Sequence, residues 1–151
     1  MELTRGVARW LRELLSRDGP APLDSARTDL VVVASGFDDA ESCSTVLERG
    51  AAGEPAWIPA SEAVLRHHLT LPADAVDAAA GIAAQDGYSP AGEPTPGTDG
   101  SVTLLLQRVQ VLDALHCSQE RSRMASLAQR LGGTAVGWEG LQAPSSSGDE
   151  G

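Results

Sequence analysis

From Leu65 to Leu141 the chain repeats one order twice, strand then helix then strand, and this repetition limits the fold more than any other feature. In the first unit Leu65, His67, Leu69 and Leu71 alternate with Arg66, His68 and Thr70, the two-residue period of a half-buried strand. The alternation places His67 on the apolar side and His68 on the solvent side. Pro72 leads into a helix whose first turns carry Asp74 and Asp77, charges that suit the positive end of a helix dipole. Val76, Ala79, Ala80 and Ala83 give that helix a small apolar face, Gly87 stops it, and Tyr88 starts a short return strand. The Pro- and Gly-rich stretch from Pro90 to Gly100 then predicts a hairpin loop.

The second unit opens with the strongest strand, Val102 to Val111. Val102, Leu104 and Leu106 share one parity, whereas Val109 and Val111 take the other. A bulge or a sheet covered on both faces accounts for the change. Asp113 is placed to cap the following helix. Cys117, Met124, Leu127, Ala128 and Leu131 mark its buried side, with Glu120, Arg121, Arg123 and Arg130 on its polar surface. Gly132-Gly133 ends it, and Thr134, Ala135, Val136 and Trp138 make a final strand. The expected fold is α/β (α+β), a ferredoxin-like β-α-β-β-α-β domain over 60–142 with both helices on one face.

The preceding segment reads as a small helical module over 1–59. Leu3, Val7, Trp10, Leu11 and Leu14 recur at helical spacing, and Gly19-Pro20 ends that helix. A second helix is expected from Asp24 through Ala26, Leu30, Val33 and Ala34. A third runs from Asp38-Asp39 through Cys43, Val46 and Leu47 to Gly50. Three such helices would make a winged-helix-like unit. The third carries Asp38, Asp39, Glu41 and Glu48 against Arg49, the wrong sign for a DNA groove. The module is therefore read as a brace or a protein-binding unit, and 143–151 as an acidic, disordered tail.

Charge extends this reading to partners. Among 151 residues, 21 are acidic and 11 basic, a formal net charge of −10. Such a chain is poorly attracted to polyanions over long range, so a protein partner is expected ahead of direct nucleic-acid binding. Lysine is absent, so no side-chain amine is available for Schiff-base chemistry. Aromatic residues make up only 3%, leaving Leu, Val and Ala to build the core. Cys43 and Cys117 form no CxxC pair and are read as reduced and packed. No apolar run is long enough for a membrane span, and the start lacks a secretory pattern, so a cytoplasmic location is expected. Arg5, Arg9, Arg12 and Arg17 keep a mitochondrial location open, although Glu2, Glu13 and Asp18 interrupt their charge; a nuclear one also stays open.

Chemical motifs are few. Asp113, His116 and Cys117 could converge at a helix start as a thiol or metal site, but lack the further ligands of a zinc centre. His67 and His68 point to opposite faces and cannot share an ion. No phosphate-binding or dinucleotide fingerprint is present. Neither catalytic nor metal residues are assigned, and no cofactor is expected. Arg66, Arg108, Arg121 and Arg123 would have to form one exposed surface for RNA to bind.

The segments RHHLTLPADAVDAAAGIAAQDGY, VTLLLQRVQVLD and ERSRMASLAQRLGGTAVGWEGL resemble the bacterial regulator of ribonuclease activity B family, a ribonuclease E inhibitor-like domain. The resemblance covers Leu65 to Leu141 and is best at Leu127, Ala128, Gly132, Gly133, Gly137, Trp138 and Glu139. Members commonly carry an aspartate immediately before the Gly-Trp pair, where this chain has Val136. The likeness implies a small α/β protein that inhibits an endoribonuclease by binding it. Arg121, Arg123 and Arg130 are candidate partner contacts through charge-assisted hydrogen bonds, or else a solvated helix face, and the broad ring of Trp138 either lids the core or sheet edge or enters a partner pocket. The expected function is that of a noncatalytic regulator or adaptor, acting on an endoribonuclease or RNA-processing assembly. The alternatives are a structural subunit of an unrelated complex, or a small enzyme or metal-binding protein using the Asp113/His116/Cys117 region.

Overall fold

A computed structural model describes residues 22–144. The helix expected around Leu3–Leu14 and most of the acidic tail lie outside the described residues. Within them the chain forms a mixed α/β domain with an open sheet. In chain order come β1 (Val31–Gly36), α1 (Cys43–Ala51), β2 (Glu62–Pro72) and, after one 3-10 turn, α2 (Val76–Ala84). The short strands β3 (Ser89–Pro90) and β4 (Thr95–Pro96) follow. β5 (Ser101–Val111), α3 (Ala114–Arg130) and β6 (Thr134–Gln142) complete the order. The sheet runs β1-β6-β2-β5-β3, with β4 also paired to β5, and every pairing is antiparallel.

The helix expected from Asp24 to Ala34 is corrected: Val31–Gly36 is a strand that pairs with β6 from Val31↔Gln142 to Gly36↔Trp138. Three consecutive β-branched valines lose rotamer freedom in a helix and pack well on a pleated surface. The winged-helix-like arrangement falls with that helix, since α1 is the sole helix in the described part of 1–59. Sheet pairing therefore ties β1 to the final strand of the chain.

Leu69, Leu71, Ala79, Ala83, Tyr88, Leu104, Leu106, Met124 and Leu127 pack between the sheet and the helices α2 and α3. A second cluster joins Ala34, Cys43, Val46, Leu47, Leu65, Leu112, Cys117 and Trp138 under α1 and α3. All three helices thus lie on the face shared by Leu65, His67 and Leu69. The β2–β5 register is unbroken from Glu62↔Val111 to Pro72↔Ser101, so no bulge explains the parity change in β5. Arg108 instead takes the next position on the Leu104/Leu106 side, where it meets Tyr88 and Glu120. The bulge falls elsewhere, in β6, where Val136 is the extra residue between His68↔Gly137 and Leu69↔Ala135.

Candidate functional site

A cleft of about 360 Å³ opens between α3 and the first residues of β6. α3 contributes Arg121, Ser122, Ala125 and Gln129; β6 and the turn before it contribute Gly133, Thr134, Ala135 and Gly137. The loop joining β1 to α1 forms the rim with Gly36, Asp38 and Asp39, and His67 on β2 lies at the floor. Local chemistry fixes each wall. Asp113 caps α3 by accepting from the His116 backbone N–H at 2.8 Å. Gly132, at φ +84°, turns the chain out of the helix, and Gly133 passes so close to β2 that a Cβ there would lie 2.1 Å from the Thr70 carbonyl oxygen. The helix can therefore hand the chain straight to β6, bringing α3 and β6 together as facing walls.

The rim loop is held from both sides. Arg121 donates to the Glu41 carbonyl at 2.8 Å and to the Asp39 carbonyl at 3.2 Å. Arg49 pairs with Glu41 and donates to the Ser35 carbonyl at 3.0 Å. The Asp38 carboxylate accepts from the Ala40 N–H at 2.9 Å, and Ser42 caps α1. Arg121 thus directs its donors to main-chain oxygens and the Cys43 sulfur but keeps its positive charge at the cleft, while Asp38 and Asp39 make no ion pair among the described residues. The rim is acidic.

Phe37 leaves this loop and lies across Gly137, where an added Cβ would fall 2.2 Å from the ring. Its ring meets His68 edge-on, with centroids 5.0 Å apart. Phe37 is 44% exposed and Val136 beside it 43%. Beyond Trp138, β1 no longer accompanies β6. Thr134, Ala135 and Gly137 are paired with β2 on one side, Val136 bulges between them without a β2 partner, and among the described residues no strand lies on the other side.

Beneath the floor is a buried polar network. The Tyr88 hydroxyl donates to Glu120 at 2.8 Å and approaches His67 Nε2 at 3.4 Å. Arg123 Nε donates to Glu120 at 3.1 Å, Arg108 lies 3.4 Å from its other oxygen, and the Arg108 guanidinium sits 4.6 Å from the Tyr88 ring centroid. Burial pushes the His67 pKa down to about 4 against the pull of Glu120, so the ring is neutral near pH 7. Burial and the bond to Glu120 push the Tyr88 hydroxyl pKa up. For Glu120, burial favours the protonated form, but the Tyr88 bond and the two arginines outweigh it and hold the carboxyl below its ordinary range.

Asp113, His116 and Cys117 do not converge. Asp113 holds His116 Nδ1 at 2.7 Å on the exposed side of α3, while Cys117 turns into the core. Burial drives its thiol up to about 12, far from a reactive thiolate. Cys43 is also buried and free of a disulfide, its sulfur accepting from Arg121 at 4.0 Å, and no group of three His, Cys, Asp or Glu side chains suited to a metal occurs among the described residues.

The partner-contact candidates are dispersed. Trp138 is 1% exposed and packs against Gly36, which makes it a core residue rather than a contact. Arg121 lines the cleft, Arg123 is tied to Glu120 and Asp86, and Arg130 stands exposed in the last turn of α3. Arg66 lies on the opposite sheet face, bonded to Gln107 and 3.8 Å from Glu139, so the four arginines needed for an RNA surface do not meet. Phe37, Asp38 and Asp39 were not singled out as site residues. A lone phenylalanine between glycine and two aspartates was their only signal. Glu120 is a further correction: it is buried, at 5% exposure, rather than on the polar surface of α3. Comparison of the chain with protein-family models, curated proteins and solved structures gives no match.

Proposed function

We propose that this protein is a noncatalytic, protein-binding regulator or adaptor, with an endoribonuclease or its RNA-processing assembly as the narrower target. The observation that carries the reading is a net acidic cleft beside a stretch of β6 with no strand on its outer side among the described residues, near the exposed apolar residues Phe37 and Val136. Aromatic and aliphatic side chains next to polar groups and free main-chain atoms suit recognition of another polypeptide. The family resemblance over Leu65 to Leu141 supports the same direction, and the order of strands and helices in the sequence assigns residues 60–142 to a ferredoxin-like unit. The order β6-β2-β5-β3 supports that assignment, since a β-α-β-β-α-β chain with helices on one face places its strands this way. In this reading β1 and α1 extend the unit at the β6 edge.

Affinity capture from the source cells tests the proposal, using wild type beside Phe37→Ala and the double variant Asp38→Asn/Asp39→Asn, each checked for folding. Recovery of a ribonuclease or RNA-processing protein that the folded variants lose supports the narrower target. Recovery of an unrelated complex with the same sensitivity keeps the adaptor and rejects ribonuclease control. Partners retained equally by all variants, or none at all, would overturn this site as the binding surface.

A further inference from the structure

The cleft-side edge of β6 gives the adaptor reading a specific mode of binding, and the inference rests on that reading. We infer that Thr134 to Gly137 receive an extended, basic segment of a protein partner as an added strand. β1 pairs with β6 only as far as Gly36↔Trp138, and the chain then turns away through Phe37 and Asp38. Of the next residues of β6, Gly137, Ala135 and Thr134 keep their β2 partners while Val136 bulges, and the stretch has a vacant side in the plane of the sheet among the described residues. Main-chain donors and acceptors on such an edge are a template for another strand. The vacant stretch spans about 13 Å at strand spacing. The bulge at Val136 bends the edge, which limits an incoming strand to a short one and turns the Val136 side chain outward.

The surroundings decide the chemistry of the occupant. On the helix side of the edge lies the cleft, where alternate side chains of an added strand would enter between Ser122, Gln129 and Thr134. The rim above it carries two carboxylates, Asp38 and Asp39, without ion-pair partners among the described residues, against the single guanidinium of Arg121, whose bonds to loop carbonyls fix its place without neutralising it, so the rim is net acidic. On a chain of net charge −10, that rim complements lysine or arginine and opposes an acidic segment. Phe37 and Val136 offer apolar contact to side chains on the opposite face of the added strand.

The test selects peptides from a random displayed library against the intact chain and measures the synthetic winners by fluorescence anisotropy. The expected winners alternate lysine or arginine with valine, threonine or isoleucine. N-methylation of winner residues of one parity should weaken binding at least roughly tenfold, while methylation of the other parity leaves it nearly unchanged, because only alternate N–H groups face the edge. Amide hydrogen exchange should slow, when the peptide binds, at those residues of Thr134 to Gly137 whose N–H groups face the open edge rather than β2. Asp38→Asn/Asp39→Asn should weaken binding roughly five- to tenfold at low salt and less at high salt. Asparagine keeps the oxygen that caps the Ala40 N–H, so the loop is retained.

Binding with equal sensitivity at both parities would overturn the added strand while leaving the adaptor reading to the capture experiment. Selection of acidic peptides, or of none, would overturn the inference as well. Concentration-dependent dimerisation that protects the same amides would make a second copy the occupant and sink the proposal in favour of self-association.

Discussion

Glu120 lies on the stripe that runs through Cys117, Met124 and Leu127 along α3, and its position rather than its type decides its burial. Its charge predicts the polar surface, although it shares the spacing of Cys117 and Met124; the partners that make a carboxylate tolerable in the core come from β5, α3 and the turn after α2. Replacing Glu120 with leucine should cost roughly 2–3 kcal/mol in urea unfolding, because the Tyr88 hydroxyl is left buried without its acceptor. Glu120→Gln should cost less, since an amide oxygen still accepts from Tyr88. His67 provides the pH counterpart. Its folded pKa, about 4, lies below the ordinary 6.5, so the unfolded chain takes up a proton that the folded chain refuses. Stability is therefore fully present above pH 6.5 and falls as pH drops toward 4, by an amount on the order of 3 kcal/mol. Glu120, also depressed, adds to the loss only below the ordinary carboxylate range. Urea midpoints between pH 7 and pH 5 should accordingly shift for wild type and flatten in His67→Leu. A slope that persists in the variant would assign it to another group.

Element boundaries follow local chemistry closely. Asp113 was legible as a cap because a short carboxylate before a helical stripe satisfies orphan N–H groups, and Asp113→Ala should cost about 1 kcal/mol. Two glycines separate what a helix itself wants from what packing demands. Gly81, on the exposed side of α2, has no heavy atom within 4 Å of an added Cβ. Gly81→Ala should stabilise by roughly 0.5–1 kcal/mol through helix propensity. At Gly133 the same methyl would strike the Thr70 carbonyl and the Leu71 side chain, so Gly133→Ala should destabilise by roughly 2 kcal/mol or more. Opposite signs in thermal unfolding check the pair; equal signs would refute the close approach of β6 to β2. The misassigned element is equally instructive. Leu30, Val33 and Ala34 fit a helical spacing, but Val31–Val33 prefer a strand, and only the pairing with β6 chooses between them.

At the scale of the molecule, β1 and α1 close the second half of the core. Trp138, Leu65 and Cys117 lie in one cluster with Ala34, Val46 and Leu47. A fragment beginning at residue 60 would expose that cluster and leave β6 as a bare edge strand. Of the three tryptophans, Trp10, Trp57 and Trp138, it retains only Trp138. The fragment should show red-shifted tryptophan emission and lose a cooperative unfolding transition. Blue-shifted emission with cooperative unfolding would mean that residues 60–144 are sufficient by themselves.

The two-residue period of β2, the stripe of α3, the caps and the stopping glycines were determined by the sequence alone, because each depends on interactions within a few residues. Burial of the His67 side of β2 followed from the same alternation. Tertiary structure alone decided that the valines before Gly36 pair with β6, that Glu120 meets Tyr88 and two arginines, and that Arg121 donates to the carbonyls of a loop. It also decided that Asp38, Arg121 and Thr134 border one cleft. Those residues stand far apart in the chain, and their meeting depends on which strand lies beside β6 and where it ends, a long-range pairing that no local period encodes.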